Sequence, residues 1–187
     1  MATSDQILDT ATVLLQQRGF NAFSFQNISQ LIGIKKASIH YHYPTKFALG
    51  ESVMKKYRSL HNDAMNKISK DHKTALKKLL AFTDLFTCTL GDDYKMCPCA
   101  MLTTDISTLP EPIRIEVQAF FIDSENWLAT ILKEGLKNGE FKFEVSPTDC
   151  ARTLFASFEG AMLSARAFQD KNRLNKTLKH LVKLIQA

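Results

Sequence analysis

The sequence predicts an all-α protein of about nine helices, a short three-helix unit followed by a longer helical region, and three observations predict it. Apolar residues recur at three- and four-residue spacing along most of the chain, helix start and stop signals punctuate that pattern, and no segment keeps a convincing two-residue alternation. Gly and Pro total only 12 residues, and no Ser- or Gly-rich linker appears.

The elements follow in order. Thr3 with Gln6 has the form of a capping box, and Ile7, Leu8, Ala11, Leu14 and Leu15 recur at helical spacing until Gly19 stops the pattern. Ser24 caps a short second helix with Phe25, Ile28, Leu31 and Ile32 expected to face inward, and Gly33 ends it. A very short third helix fits 35–41. His42-Tyr43-Pro44 breaks it, and Thr45 caps a long fourth helix over about 46–70. The fifth runs over about 74–90, and a short sixth starts near Pro98. Leu109-Pro110-Glu111-Pro112 separates that from a seventh, which carries Ile115, Phe120, Trp127, Ile131, Leu132 and Leu136 up to Gly139. Ser146-Pro147-Thr148-Asp149 combines a cap, a proline at the first helical position and an acid at the positive dipole end, so an eighth helix starts there and reaches about Asp170. The ninth runs from about Leu174 to the end, and the brief alternation Phe141-Lys142-Phe143-Glu144 reads as loop.

A chain of 187 residues, 45% hydrophobic and 23% charged, can bury a core without disulfides or metals. No stretch approaches the ~20 apolar residues of a membrane-spanning helix, and Met1-Ala2-Thr3-Ser4-Asp5 lacks the basic-then-apolar form of a secretion signal, so the cytoplasm is the expected compartment. The four cysteines, Cys88, Cys97, Cys99 and Cys150, have no framework spacing and are expected reduced. Net charge is +5, and residues 1–60 hold seven basic against three acidic side chains, whereas the remainder is nearly balanced. Basic charge concentrated at one end suits a polyanionic partner.

The segment from Ser24 to Lys46 has the make-up of a helix-turn-helix. Two short helices crossing steeply need a small residue at their closest approach and apolar plugs around the turn. Ser29, four residues before Gly33, and Ile28, Ile34 and Ile39 supply them. The helix after the turn offers Lys35, Lys36, Ser38, His40 and Tyr41 to the major groove of double-stranded DNA, with Ser24 at the head of the preceding helix. Lys35 and Lys36 open the third helix and Lys46 the fourth, where the helix dipole disfavours cations. The conflict disappears if phosphates dock at those ends, although any one of these lysines also fits a plain solvated surface.

The run Ile34-Lys-Lys-Ala-Ser-Ile-His-Tyr-His-Tyr-Pro-Thr-Lys46 resembles the signature of the tetracycline-repressor (TetR) family, and the likeness covers residues 5–50. In that signature paired aromatics are followed by His, an aromatic, Pro, a capping Ser or Thr, and Lys. This chain departs from it with His40 in place of the usual Tyr and Lys35 in place of a capping Ser or Thr. The resemblance implies DNA-backbone contacts for Tyr41 and Lys46. It also implies a DNA-binding domain over 1–46 and an effector-binding and dimerisation domain over 47–187. Cys97-Pro98, Asn138-Gly139-Glu140 and Phe158-Glu159-Gly160-Ala161 resemble the subgroup containing N-ethylmaleimide-responsive repressors. That likeness implies a homodimer through the last two helices, a pseudo-palindromic operator and a small-molecule effector, apolar or electrophilic. Gly160, Ala161, Ser164 and Ala165 would let those helices approach, while Leu154, Phe158, Leu178, Leu181, Val182 and Ile185 supply burial, either between copies or inside one chain.

Cys97 and Cys99 flank the start of the sixth helix, where the dipole favours thiolate. They are candidate redox or electrophile sensors if exposed, and core residues if buried, as Cys88 and Cys150 are expected to be. The spacing of Cys88, Cys97, Cys99 and His72 matches no usual zinc site, and His40 and His42 point apart, with His40 expected to face DNA and His42 the interior; no metal or cofactor is expected. An effector pocket would be lined by Phe82, Phe86, Phe120, Trp127, Phe155 and Phe158, whose helical spacing equally fits plain core. There is no phosphate loop, nucleophile elbow or metalloprotease motif to support an enzyme. The expected function is a sequence-specific DNA-binding transcriptional regulator, a repressor released by a small molecule or by thiol modification. The alternative, a non-specific nucleoid-like DNA binder, calls for basicity throughout the chain.

Overall fold

The structure, a computed structural model, describes residues 3–187, so the part of the N-terminal reading that falls on Met1 and Ala2 lies outside it. The described residues form nine α-helices: α1 Thr3–Arg18, α2 Phe25–Ile32, α3 Lys36–His42, α4 Lys46–Asp71, α5 Ala75–Leu90, α6 Pro98–Thr103, α7 Glu111–Lys137, α8 Pro147–Phe168 and α9 Lys171–Ile185. Two 3-10 turns, Phe20–Ala22 and Ile106–Thr108, and one isolated bridge between Phe141 and Gln186 complete the described residues. None of these helices is long and apolar enough to cross a membrane.

Local chemistry accounts for most boundaries. Ser24 closes a capping box with Asn27 at the head of α2, and Gly33, left-handed at φ +70°, ends it with its N–H on the Ser29 carbonyl. Thr74 and Ser146 cap α5 and α8 through their hydroxyls. Other boundaries differ from the sequence reading. Thr3 lies inside α1. Pro112 sits in the first turn of α7, where its missing N–H costs nothing, so the Pro-rich separator is partly helical. Asp170, not a residue near Leu174, starts α9: its carboxylate accepts the Asn172 N–H, after Gln169 ends α8 in the left-handed region.

The chain divides into two compact units. Of the described residues, the first comprises those up to 60 together with 97–120, and the second comprises 61–96 and 121–187. In the first unit α1 packs on α2, α3 and α6 around fully buried Ile7, Ala11, Ile28 and Ile39. Gly50 in α4 lets Phe20 lie against the helix, since a Cβ there would meet that ring at 2.7 Å. In the second unit α5, α8 and α9 pack together, with Leu79, Phe82, Phe158, Met162 and Leu174 fully buried.

Candidate nucleic-acid interface

α3 is anchored by one side chain and exposed along the rest. Ile39 is fully buried, Ser38 is half-buried, and Lys35, Lys36, His40, Tyr41 and His42 are exposed, Tyr41 to 84%. Ser29 does more than permit close approach: its hydroxyl donates to the Ile34 carbonyl at 2.6 Å and ties α2 to the turn. Lys35 caps α3 from an extended backbone without a side-chain hydrogen bond, so the first N–H groups of the helix and two exposed ammonium groups share one end. An open cleft of about 460 Å³ beside α3 is lined by Thr3, Ile34, Ala37, Ser38, Tyr41 and His42. The His40 ring meets Phe25 edge-on at 4.9 Å, which orients it along the exposed face. The Ser24 hydroxyl is exposed, but it is engaged with Asn27 in the cap.

Several side chains depart from the sequence reading. His42 is exposed and Tyr43 takes the interior position, its hydroxyl 3.0 Å from that of Ser4. Leu31 points outward, 62% exposed, because α2 ends within a turn of it and only Phe25 and Ile28 of that helix are buried. Lys46, expected as a backbone contact, is half-buried and engages groups of its own chain. Its ammonium donates to the Phe20 carbonyl and stands 4.7 Å and 4.5 Å from the ring centres of Phe20 and Phe23. Burial holds its pKa below the usual lysine value, opposed by the charge of Asp105. Lys55 pairs with Glu51, Lys56 with Asp9, and Arg58 with Glu116. The exposed basic side chains of this unit include Lys35 and Lys36 at the head of α3, and also Arg18 and Arg114. The Glu51–Lys55 pair was readable as an i,i+4 contact, but Asp9–Lys56 joins residues 47 apart.

The six aromatics expected to line a pocket do not share one unit. Phe120 belongs to the first, where it packs on Tyr57 with ring centres 5.6 Å apart. The other five lie in the second: Phe82 stacks on Trp127 at 5.1 Å and touches Phe86, Phe155 and Phe158. Trp127 turns its indole N–H to the Ser69 hydroxyl, 2.9 Å away. Sequence reasoning missed His61, which lies edge-on to Phe82 with Nε2 3.1 Å from the Ser124 hydroxyl; burial pushes its pKa down to about 4 against the opposing charge of Asp123. Cys97 and Cys99 are 3% and 0% exposed, and Met96 beside them is fully buried, so the accessible thiol that a sensor needs is absent there. Cys88, expected in the core, is the exposed cysteine. Among the described residues no group of three or more His, Cys, Asp or Glu side chains could hold a metal ion.

Residues 7–53 match the family described as bacterial regulatory proteins, tetR family, and residues 75–181 match the tetracyclin repressor-like C-terminal domain. The chain belongs to the TetR family. It is 24% identical over 179 residues to the HTH-type transcriptional repressor DhaR of Mycobacterium sp. strain GP1, covering 92% of this chain and 86% of that one. A TetR-family transcriptional regulator from Agrobacterium tumefaciens superposes with a TM-score of 0.94 at 32% identity, covering 98% of this chain and 97% of its own. The reduced form of E. coli NemR has the same fold, with a TM-score of 0.84 at 22% identity over 99% and 98% of the two chains. As a TetR-family member the protein is a DNA-binding transcriptional regulator, and such regulators act as dimers with small-molecule ligands. The nucleoid-like alternative is not favoured.

Proposed function

We propose that the protein is a cytoplasmic homodimeric repressor that holds a pseudo-palindromic operator with two copies of α3 and releases it on binding an apolar small molecule. The observation that carries this is the division of α3 between a buried anchor, Ile39, and the exposed Lys35, Lys36, His40 and Tyr41. A recognition helix needs that division, with its N-terminal end and basic side chains free to reach base edges and phosphates. In this reading residues 1–46 read DNA, while 47–187 dimerise and take the effector. The dimer forms on the outer face of α8 and α9, where Leu163 and Leu184 are 53% and 63% exposed and a Cβ on Gly160 would meet nothing within 4 Å. The effector enters by parting the rings of Phe82, Phe86, Trp127, Phe155 and Phe158.

Selection of bound fragments from random double-stranded DNA tests the reading. It expects one enriched pseudo-palindrome whose affinity falls steeply with salt. Recovery of no enriched sequence overturns it.

A further inference from the structure

The half-buried Lys46 ammonium sits among groups of its own chain that suit a cation. An ammonium has three N–H donors and no acceptor. Here one N–H meets the Phe20 carbonyl, and the faces of Phe20 and Phe23 flank the charge at 4.7 Å and 4.5 Å. Those two rings are themselves set edge to face at 6.0 Å, and Phe47, the next residue of α4, stacks on Phe20 at 5.9 Å. Gly50, one turn further along α4, leaves the space that Phe20 fills. The first turn of α4 and the segment Phe20–Phe23 are thus joined by a hydrogen bond, two cation–π contacts and a ring stack. Phe23 is followed directly by Ser24, the cap of α2, whose helix is tied by Ser29 to the turn before α3.

We infer that Lys46 is a positioning residue of the DNA-reading head, a brace between α4 and the Phe20–Phe23 segment that fixes the angle of α2 and α3, and not a side chain that clamps a phosphate. One of its N–H donors and two flanking ring faces are engaged within the fold; Lys36, exposed at the head of α3, is the side chain that meets phosphate.

Lys46→Met and Lys36→Met, compared in the full-length protein on the selected operator, separate the two roles. Removing a phosphate contact lowers the slope of log affinity against log salt by about 0.9 and leaves the free protein's melting temperature unchanged, as expected for Lys36→Met. Lys46→Met is expected to keep the wild-type slope, to lower the melting temperature of the free protein, and to lose roughly tenfold in affinity at 20 °C while circular dichroism shows it folded. That last loss is one that a purely stabilising role would not produce. Lys46→Arg is the second variant and decides the matter if Lys46→Met does not fold. A phosphate clamp tolerates the guanidinium, whereas a compact site between two rings and one carbonyl does not, so a lowered melting temperature with an unchanged slope is expected. A slope reduced by about 0.9 in Lys46→Met, wild-type affinity in the folded Lys46→Met, or a wild-type melting temperature in Lys46→Arg each overturns the inference.

Discussion

Glu140 accepts the backbone N–H of Leu76 at 2.9 Å, joining residues 64 apart, and also that of Ala75 at 3.2 Å. The carboxylate thereby serves the head of α5 as a second cap beside Thr74. Gly139, at φ +70°, makes the turn after α7 that directs the chain there. The bond from Leu76 is the main reason the Glu140 carboxyl is held below its ordinary pKa, supported by those from Ala75 and Asn138.

Glu140→Gln should therefore destabilise the protein by about 1 kcal/mol at neutral pH, the usual worth of a cap with a charge at the positive dipole end. A carboxylate with a depressed folded pKa contributes stability above its unfolded value of about 4.3, and the contribution fades as pH falls through the folded value. Urea unfolding midpoints of wild type and variant should differ at pH 7 and converge in acid. A constant difference across that range would remove the charge from the account.

His61 predicts acid sensitivity at higher pH. Its folded pKa of about 4 lies below the unfolded value of about 6.5, so the unfolded chain binds more protons between the two, and stability falls as pH drops from about 6.5 towards 4. Over that window the imidazole accounts for up to about 3 kcal/mol. His61→Gln, which can still meet the Ser124 hydroxyl but does not titrate, should flatten the curve, as read from unfolding midpoints at half-unit pH intervals.

Gly135→Ala should be poorly tolerated, because a Cβ there falls inside the ring of Phe141, which is 3% exposed. Phe141 cannot withdraw freely: its N–H bonds to the Gly135 carbonyl and it bridges to Gln186. Displacing the ring is expected to cost about 2 kcal/mol and to lower the melting temperature by roughly 4–8 °C. The same substitution at Gly160, in the interior of α8 with nothing within 4 Å of the added carbon, should stabilise an isolated chain by up to about 1 kcal/mol.

Leu163→Glu tests the proposed dimer face. The side chain is 53% exposed, so a charge there costs the single chain little, but between two copies it would be buried and opposed by its twin. Size-exclusion chromatography with light scattering should show the variant as a monomer and the wild type as a dimer. A dimeric Leu163→Glu would place the interface elsewhere.

Local rules made much of this protein legible. The caps at Ser24 and Ser146, the stop at Gly33 and the buried Ile28 and Ile39 all depend on residues within a turn or two of one another, where spacing and side-chain chemistry decide the outcome. The membership signalled by Ile34–Lys46 was readable for the same reason, since those residues are contiguous and the family match over 7–53 includes them.

Direction was not legible. Leu31 and His42 belong to helices only eight and seven residues long, and periodicity over two turns does not say which edge another element covers. Lys46 has the sequence position of a phosphate ligand, but Phe20 and Phe23, more than twenty residues earlier, offer its ammonium a carbonyl and two ring faces. By itself the sequence determined the helices, the helix-turn-helix and the family, because each follows from neighbours along the chain. Tertiary structure alone decided which lysines stay exposed, which cysteine is exposed and which rings interlock. Those outcomes depend on partners brought close by folding, and the energy of burying a charge, a thiol or a ring is set by those partners.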